Sequence, residues 1–145
     1  MKTVAVSGGF DPLHIGHVEM IKEAKALGDR LIVIVNNDNW LMKKKGFVFM
    51  DERERKAILE AIRYVDEVHI SEHPENPTDS SVCAELEKIK PDIFANGGDR
   101  KPDGDPIPEV ELCQRLGIEL VYNVGKSGKI QSSSDLVKRA TLQKK

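Results

Sequence analysis

Residues 3–17 read TVAVSGGFDPLHIGH. Thr3–Val6 is a short β-branched, apolar run, the mark of a strand buried on both faces. It passes directly into Ser7-Gly8-Gly9-Phe10-Asp11, where glycines let backbone N–H groups approach a phosphate closely. His14 stands at the edge of the helix that follows. His17 lies three residues on, so both imidazoles share one helical face. Gly16 stands between them, where a larger side chain would obstruct a ligand. The structural alternative makes His14 a turn residue and His17 a packed helix residue. Either histidine alone would suit it, and the two together, placed by a glycine turn, favour a phosphate ligand. Zinc binding by the pair lacks a third ligand nearby in sequence.

Working outward, strand and helix patterns alternate. Leu31–Val35, Glu67–Ile70, Asp92–Ala95 and Glu119–Tyr122 read as further strands. Val18, Ile21, Ala24 and Leu27 recur at helical spacing, as do Ala57, Ile58, Ala61, Ile62 and Val65, and Val82, Leu86 and Ile89. Gly28 and Pro91 serve as helix stops, and Asp51 with Glu54 resembles a capping box. Ser132–Ser134 suit the cap of a last helix carrying Leu136, Val137 and Ala140. Five strands alternating with helices predict an α/β, Rossmann-like three-layer fold with a five-stranded parallel sheet, one domain over 1–145. In such sheets ligands bind beyond the carboxyl ends of the strands. Two phosphate motifs fail: the first turn is not G-x-G-x-x-G, and Gly125-Lys126-Ser127 has Leu120 where a P-loop needs its first glycine.

Composition narrows the function. Lys and Arg number 22 against 24 Asp and Glu, a net charge of −2, and a nucleic-acid footprint is usually basic. Small-molecule partners are expected, with no nucleic acid and no membrane, since no apolar run approaches the ~18 residues of a span. Two cysteines, Cys83 and Cys113, form no CxxC pair. They suggest a reducing compartment and a cytoplasmic protein.

The stretch Gly9-Phe10-Asp11-Pro12-Leu13-His14-Ile15-Gly16-His17 resembles the signature of the cytidylyltransferase-like, HIGH-motif nucleotidyltransferases. Gly28–Val33, Asn36-Asn37-Asp38 and Asn96-Gly97-Gly98-Asp99 resemble further segments of that family. Arg63–Val68 is similar to a segment of glycerol-3-phosphate cytidylyltransferases. The resemblance implies attack by a small phosphorylated alcohol or sugar on the α-phosphate of a nucleoside triphosphate, CTP in the leading reading, with pyrophosphate leaving. Gly97-Gly98-Asp99 with Lys101-Pro102, and Asp29–Val33, resemble the adenylyl-transferring domain of heptose-phosphate enzymes, so an ATP-dependent adenylyltransferase is the alternative. A nucleotide-binding regulator without turnover is a third reading, against which the intact histidine pair stands. The family also implies Mg²⁺ held largely by phosphates and water, no protein metal ligand, and a homodimer.

The resemblance further implies roles by position. His14, His17 and Lys44 are the expected catalytic residues, the histidines donating to the triphosphate and Lys44 also touching the acceptor. Gly8, Gly9, Phe10, Asp11, Gly16, Arg63, Asn96, Gly98, Asp99, Ser132 and Ser133 are expected at the nucleotide, and Arg55 at the acceptor. Asp11 either fixes the turn or lies near the metal. Plain alternatives stand beside these: a solvated loop for Lys43–Lys45, a surface pair with Asp51 or Glu52 for Arg55, and a helix-end cation for Arg63. Gly97-Gly98 also reads as a simple turn, and Ser132–Ser134 as a cap. The last motif departs from the family, with Lys126, Gly128 and Lys129 where the glycerol-phosphate enzymes carry an arginine; lysine cannot make the bidentate phosphate contact. Glu72–Asp79 and Arg100–Pro108 are candidates to shape the acceptor pocket, with His73 a weaker contact.

Overall fold

Strand β1 (Thr3–Gly8) occupies the centre of one parallel sheet, between β2 (Arg30–Val35) and β4 (Ile93–Gly97). The edges are β3 (Glu67–Ile70) and β5 (Glu119–Val124), giving the order β3-β2-β1-β4-β5. The computed structural model describes residues 1–97 and 108–124. The helices are α1 (Ile15–Ala26), α2 (Asp38–Lys45), α3 (Glu52–Glu60), α4 (Cys83–Ile89) and α5 (Pro108–Leu116). The α/β, Rossmann-like fold expected from the alternating pattern is the one observed.

The period-two rule explains how one strand serves two layers. Val4 and Val6 of β1, Leu31, Val33 and Val35 of β2, and Ile93 and Ala95 of β4 bury one face, packed with Ile21 and Ala24 of α1 and Leu59 of α3. Ala5, Ile34 and Phe94 point the other way and pack with Val82, with Leu86 of α4 and with Leu112 and Cys113 of α5. The stripes Ile21/Ala24 and Val82/Leu86 are those the helical spacing picks out, whereas α3 ends at Glu60, turns Arg55 and Leu59 inward, and leaves Ala57 and Ile58 of the expected stripe exposed.

The chain runs outward from β1 to β3 and then crosses back to start β4 beside β1. That reversal opens a crevice at the carboxyl ends of β1 and β4. The amino edge is closed by aspartates that accept from strand-start amides. Asp29 takes Lys2 N at 2.8 Å, Asp92 takes Thr3 N at 2.8 Å, and Asp66 takes Leu31 N at 2.8 Å.

One element goes beyond the expected pattern. Lys43–Lys45, read as a basic loop, form the last turn of α2. Asn37 caps its start by accepting from Trp40 N, and Gly46, at φ 79°, closes its end in the left-handed region. A lysine-rich final turn suits the negative end of the helix dipole. Only Leu41 is buried, so α2 has no apolar stripe to betray it.

Gly28 is where α1 returns to the sheet. A Cβ there would stand 2.8 Å from the carbonyl oxygen of Lys2 and 2.8 Å from Val4 Cγ2. The same carbonyl already accepts from Asp29 N and Arg30 N, so it cannot yield freely. Gly28→Ala is expected to destabilise the fold by about 1–3 kcal/mol, read as a lower urea midpoint. An unchanged midpoint would show that β1 can shift to make room.

Candidate active site

His14 is the N-cap of α1, with extended backbone at φ −148° and ψ 179°. Its Nδ1 accepts from Gly16 N at 3.1 Å. His17, at the third helical position, returns the bond: its Nδ1 accepts from His14 N at 3.2 Å. This is a capping box in which imidazole nitrogens replace the usual hydroxyl and carboxylate. The two rings stack, centroids 3.9 Å apart and planes 27° from parallel. Because each Nδ1 is an acceptor, the proton of each neutral ring sits on Nε2. The pair therefore presents N–H donors at a helix N-terminus, where the dipole already favours an anion.

His17 is held neutral. Burial, the adjacent His14 and the charge of Lys45 push its pKa from 6.5 down to about 3. Part of the cover is Phe10, which is 2% exposed and meets His17 edge-on at 4.9 Å. Phe10 adopts φ 53°, a left-handed conformation that costs a bulky residue about 1–3 kcal/mol and persists only where surroundings enforce it. Gly8 and Gly9 make it possible. A Cβ on Gly8 would press on the Phe10 ring at 3.2 Å, and one on Gly9 would meet Leu41 and Trp40 at 3.1 Å. Trp40 thus packs beneath the turn, its indole N–H donating to Ser80 O at 2.9 Å.

Asp11 and Arg55 brace the turn from below. Asp11 is 1% exposed, and its two oxygens accept from Phe49 N and Met50 N, each at 2.6 Å. Of the two roles expected for it, fixing the turn matches this geometry; its oxygens are committed to backbone amides. Arg55 has no exposure. It donates to Met50 O at 2.9 Å, Gly9 O at 2.8 Å and Asn36 O at 2.5 Å, and pairs with Asp38 at 2.7 Å. A buried guanidinium bound in this way cannot reach an acceptor, so Arg55 is a tie beneath the site and not the substrate contact expected.

The other expected residues divide. Asn96 lies in β4 at the crevice, 6% exposed, and its Nδ2 has no hydrogen-bond partner among the described residues. Asn36 Oδ1, just past β2, is likewise unpartnered there. Lys44 is exposed on the last turn of α2. The lysine whose charge reaches His17 is its half-buried neighbour Lys45, which spacing alone does not single out. Arg63 follows α3 and precedes β3, at the amino edge of the sheet, with its guanidinium 5.4 Å from the Tyr64 ring centroid. That is the edge opposite the histidines, so the fold does not bring Arg63 to the histidine pair within one chain. Gly98, Asp99, Ser132 and Ser133 lie outside the described residues.

His73, read as a loop residue or acceptor contact, is 7% exposed. Its ring bonds Ser71 Oγ at 2.7 Å and Ser81 O at 2.8 Å, while its carbonyl accepts from the side chains of Asn37 and Asn39. It braces the segment after β3 against α2. Burial raises both thiols, Cys113 to about 11, which leaves no reactive thiolate. No group of three or more His, Cys, Asp or Glu among the described residues is placed to hold a metal, and no helix among them is long and apolar enough to cross a membrane.

Comparison with known proteins bears on this geometry. Residues 5–136 match the cytidylyltransferase-like family. An FAD synthase from Pyrococcus abyssi is 42% identical over 120 residues, covering 81% of this chain and 77% of that protein. Another, from Ferroglobus placidus, is 34% identical over 140 residues, covering 96% and 88%. A crystal structure described as a lipopolysaccharide core biosynthesis protein from Thermoplasma volcanium superposes with a TM-score of 0.67 at 29% identity, covering 85% of this chain and 96% of that one.

Two outcomes follow from the geometry. Below pH 6.5 the unfolded chain protonates His17 while the folded chain does not until about pH 3. Folding stability must therefore decrease as the pH is lowered through that window, by at most about 1.4 kcal/mol per unit from this group. His17→Gln keeps an acceptor for His14 N but cannot titrate, and urea titrations at pH 6.5 and 5 are expected to show a smaller loss for it. Arg55→Met strands three carbonyls and the Asp38 carboxylate. It is expected to cost about 3–5 kcal/mol, measured by chemical denaturation.

Proposed function

The chain belongs to the cytidylyltransferase-like family of nucleotidyltransferases, and we propose that it transfers the adenylyl group of ATP to the phosphate of FMN, yielding FAD and pyrophosphate. The observation that carries nucleotidyl transfer is the stacked His14–His17 pair at the N-terminus of α1, its Nδ1 atoms turned into the helix cap. The choice of nucleotide and acceptor rests on the relatives, which are FAD synthases. They support the adenylyl alternative over the cytidylyl expectation.

The reaction needs no enzyme nucleophile, because the attacking group is already anionic. An oxygen of the FMN phosphate bonds to the α-phosphorus of ATP. The bond from that phosphorus to the bridging oxygen of the β-phosphate breaks, and pyrophosphate leaves with the electron pair. The protein supplies position and charge stabilisation. His17, neutral at working pH, and His14 donate to phosphate oxygens as charge shifts toward the leaving group. Lys45, and Lys44 beside it, add positive charge at the same edge. The unpartnered Asn96 Nδ2 suits an acceptor atom of the adenine or ribose. Magnesium, which balances charge on a triphosphate, finds no acidic cluster among the described residues, and Asp11 is committed to Phe49 N and Met50 N. No residue is assigned to it.

Incubation with FMN and each of ATP, CTP, GTP and UTP tests the reading. FAD and pyrophosphate are expected with ATP alone. A preference for CTP would overturn the adenylyl assignment, and ATP binding without pyrophosphate release would favour the regulator. His17→Ala should fold and lower kcat on the order of 10²–10³-fold; near-normal turnover would remove the histidine pair from the chemistry.

A further inference from the structure

We propose that Phe47 and Phe49 form the aromatic platform that receives the planar ring of the phosphorylated acceptor, a proposal that rests on the flavin reading above. The chain has four phenylalanines. Phe10 and Phe94 are each 2% exposed, whereas Phe47 is 38% and Phe49 57% exposed. Exposed phenyl rings forgo the stabilisation that burial brings. Both stand in the short link between α2, which ends at Lys45, and α3, which starts at Glu52.

That link is anchored where the chemistry is. Phe49 N and Met50 N both donate to Asp11, at 2.6 Å each, and Met50 O accepts from the buried Arg55 at 2.9 Å. Asp11 lies in the same turn as His14, three residues before it. The exposed rings are thus carried on backbone pinned to the phosphate-binding turn. Trp40 and Tyr64 are committed elsewhere. Trp40 is wedged under Gly9 and tied to Ser80 O, and Tyr64 lies at the far edge of the sheet with Arg63 over its ring.

The flavin's ring system is flat, wide and largely apolar, joined to its phosphate by a flexible sugar alcohol. With that phosphate beside the triphosphate that the histidine pair holds in the proposed reaction, the ring lies at the same sheet edge. A flat π-system there is held best by stacking on aromatic side chains, as nucleic-acid bases are. A small phosphorylated alcohol offers no flat surface to two phenyl rings, so the pair favours a planar acceptor over such an alcohol.

The test measures KM for FMN and for ATP, and the quenching of FMN fluorescence, in the unaltered chain, in Phe47→Ala/Phe49→Ala and in Phe47→Tyr/Phe49→Tyr. The alanine pair is expected to raise KM for FMN about tenfold or more, to weaken quenching, and to leave KM for ATP and the thermal midpoint in place. The tyrosine pair, which keeps both rings, should retain quenching and the original KM. An alanine pair that still turns FMN over with unchanged KM overturns the platform and leaves the flavin reading standing. An unaltered chain that makes no FAD from FMN and ATP overturns both. A change in sedimentation of the alanine pair, with KM for FMN unaltered, would assign the rings to a contact between copies and overturn the proposal.

Discussion

Arg55 holds the ligand edge of the sheet together. Its guanidinium, with no exposure, joins the turn after β1 through Gly9 O, the turn after β2 through Asn36 O, the start of α2 through Asp38, and the approach to α3 through Met50 O. Glu52 adds a parallel link by accepting from Asp38 N at 2.9 Å. A buried charge is costly unless every partner is in place, so this arrangement tolerates few alternative geometries. The four segments it joins are those that bear or flank the candidate chemistry.

The same economy governs the histidine pair. A helix start leaves amides that need acceptors, and here His14 and His17 satisfy two of them. Doing so turns each ring so that its remaining N–H faces away from the cap. In the proposed reaction, phosphate recognition uses the nitrogens opposite those that satisfy the helix start. Phe10, forced into a left-handed conformation, shields His17 and helps keep it uncharged. A neutral donor stabilises growing negative charge without holding the pyrophosphate as a fixed cation would.

The two halves of the proposed site, one for the nucleotide and one for the acceptor, differ in how they are built. On the nucleotide side, the turn after β1 and Asn96 of β4 flank the crevice that the strand order creates. On the acceptor side, the α2–α3 link has no strand register to place it. It depends on the buried Asp11 carboxylate and on Arg55. A link held by backbone contacts can change its exposed side chains without disturbing the turn after β1.

The linear pattern was enough to establish the parallel sheet, its five strands, the two-faced core and the glycine turn with its paired imidazoles. Those features arise from local periodicity and from spacing within one turn. Tertiary structure alone decided which polar residues meet. Arg55 reads as an acceptor contact or a surface helix residue because its partners Gly9 and Asn36 are 46 and 19 residues away. Lys44 and Lys45 differ in exposure only because α2 is a helix, which its polar composition hid. Arg63 lies opposite the histidines because α3 carries the chain from one edge of the sheet to the other before β3 begins. Period and propensity act over a few residues, whereas burial of a charge, the direction of a crossover and the pairing of distant carbonyls exist only once the chain has closed on itself.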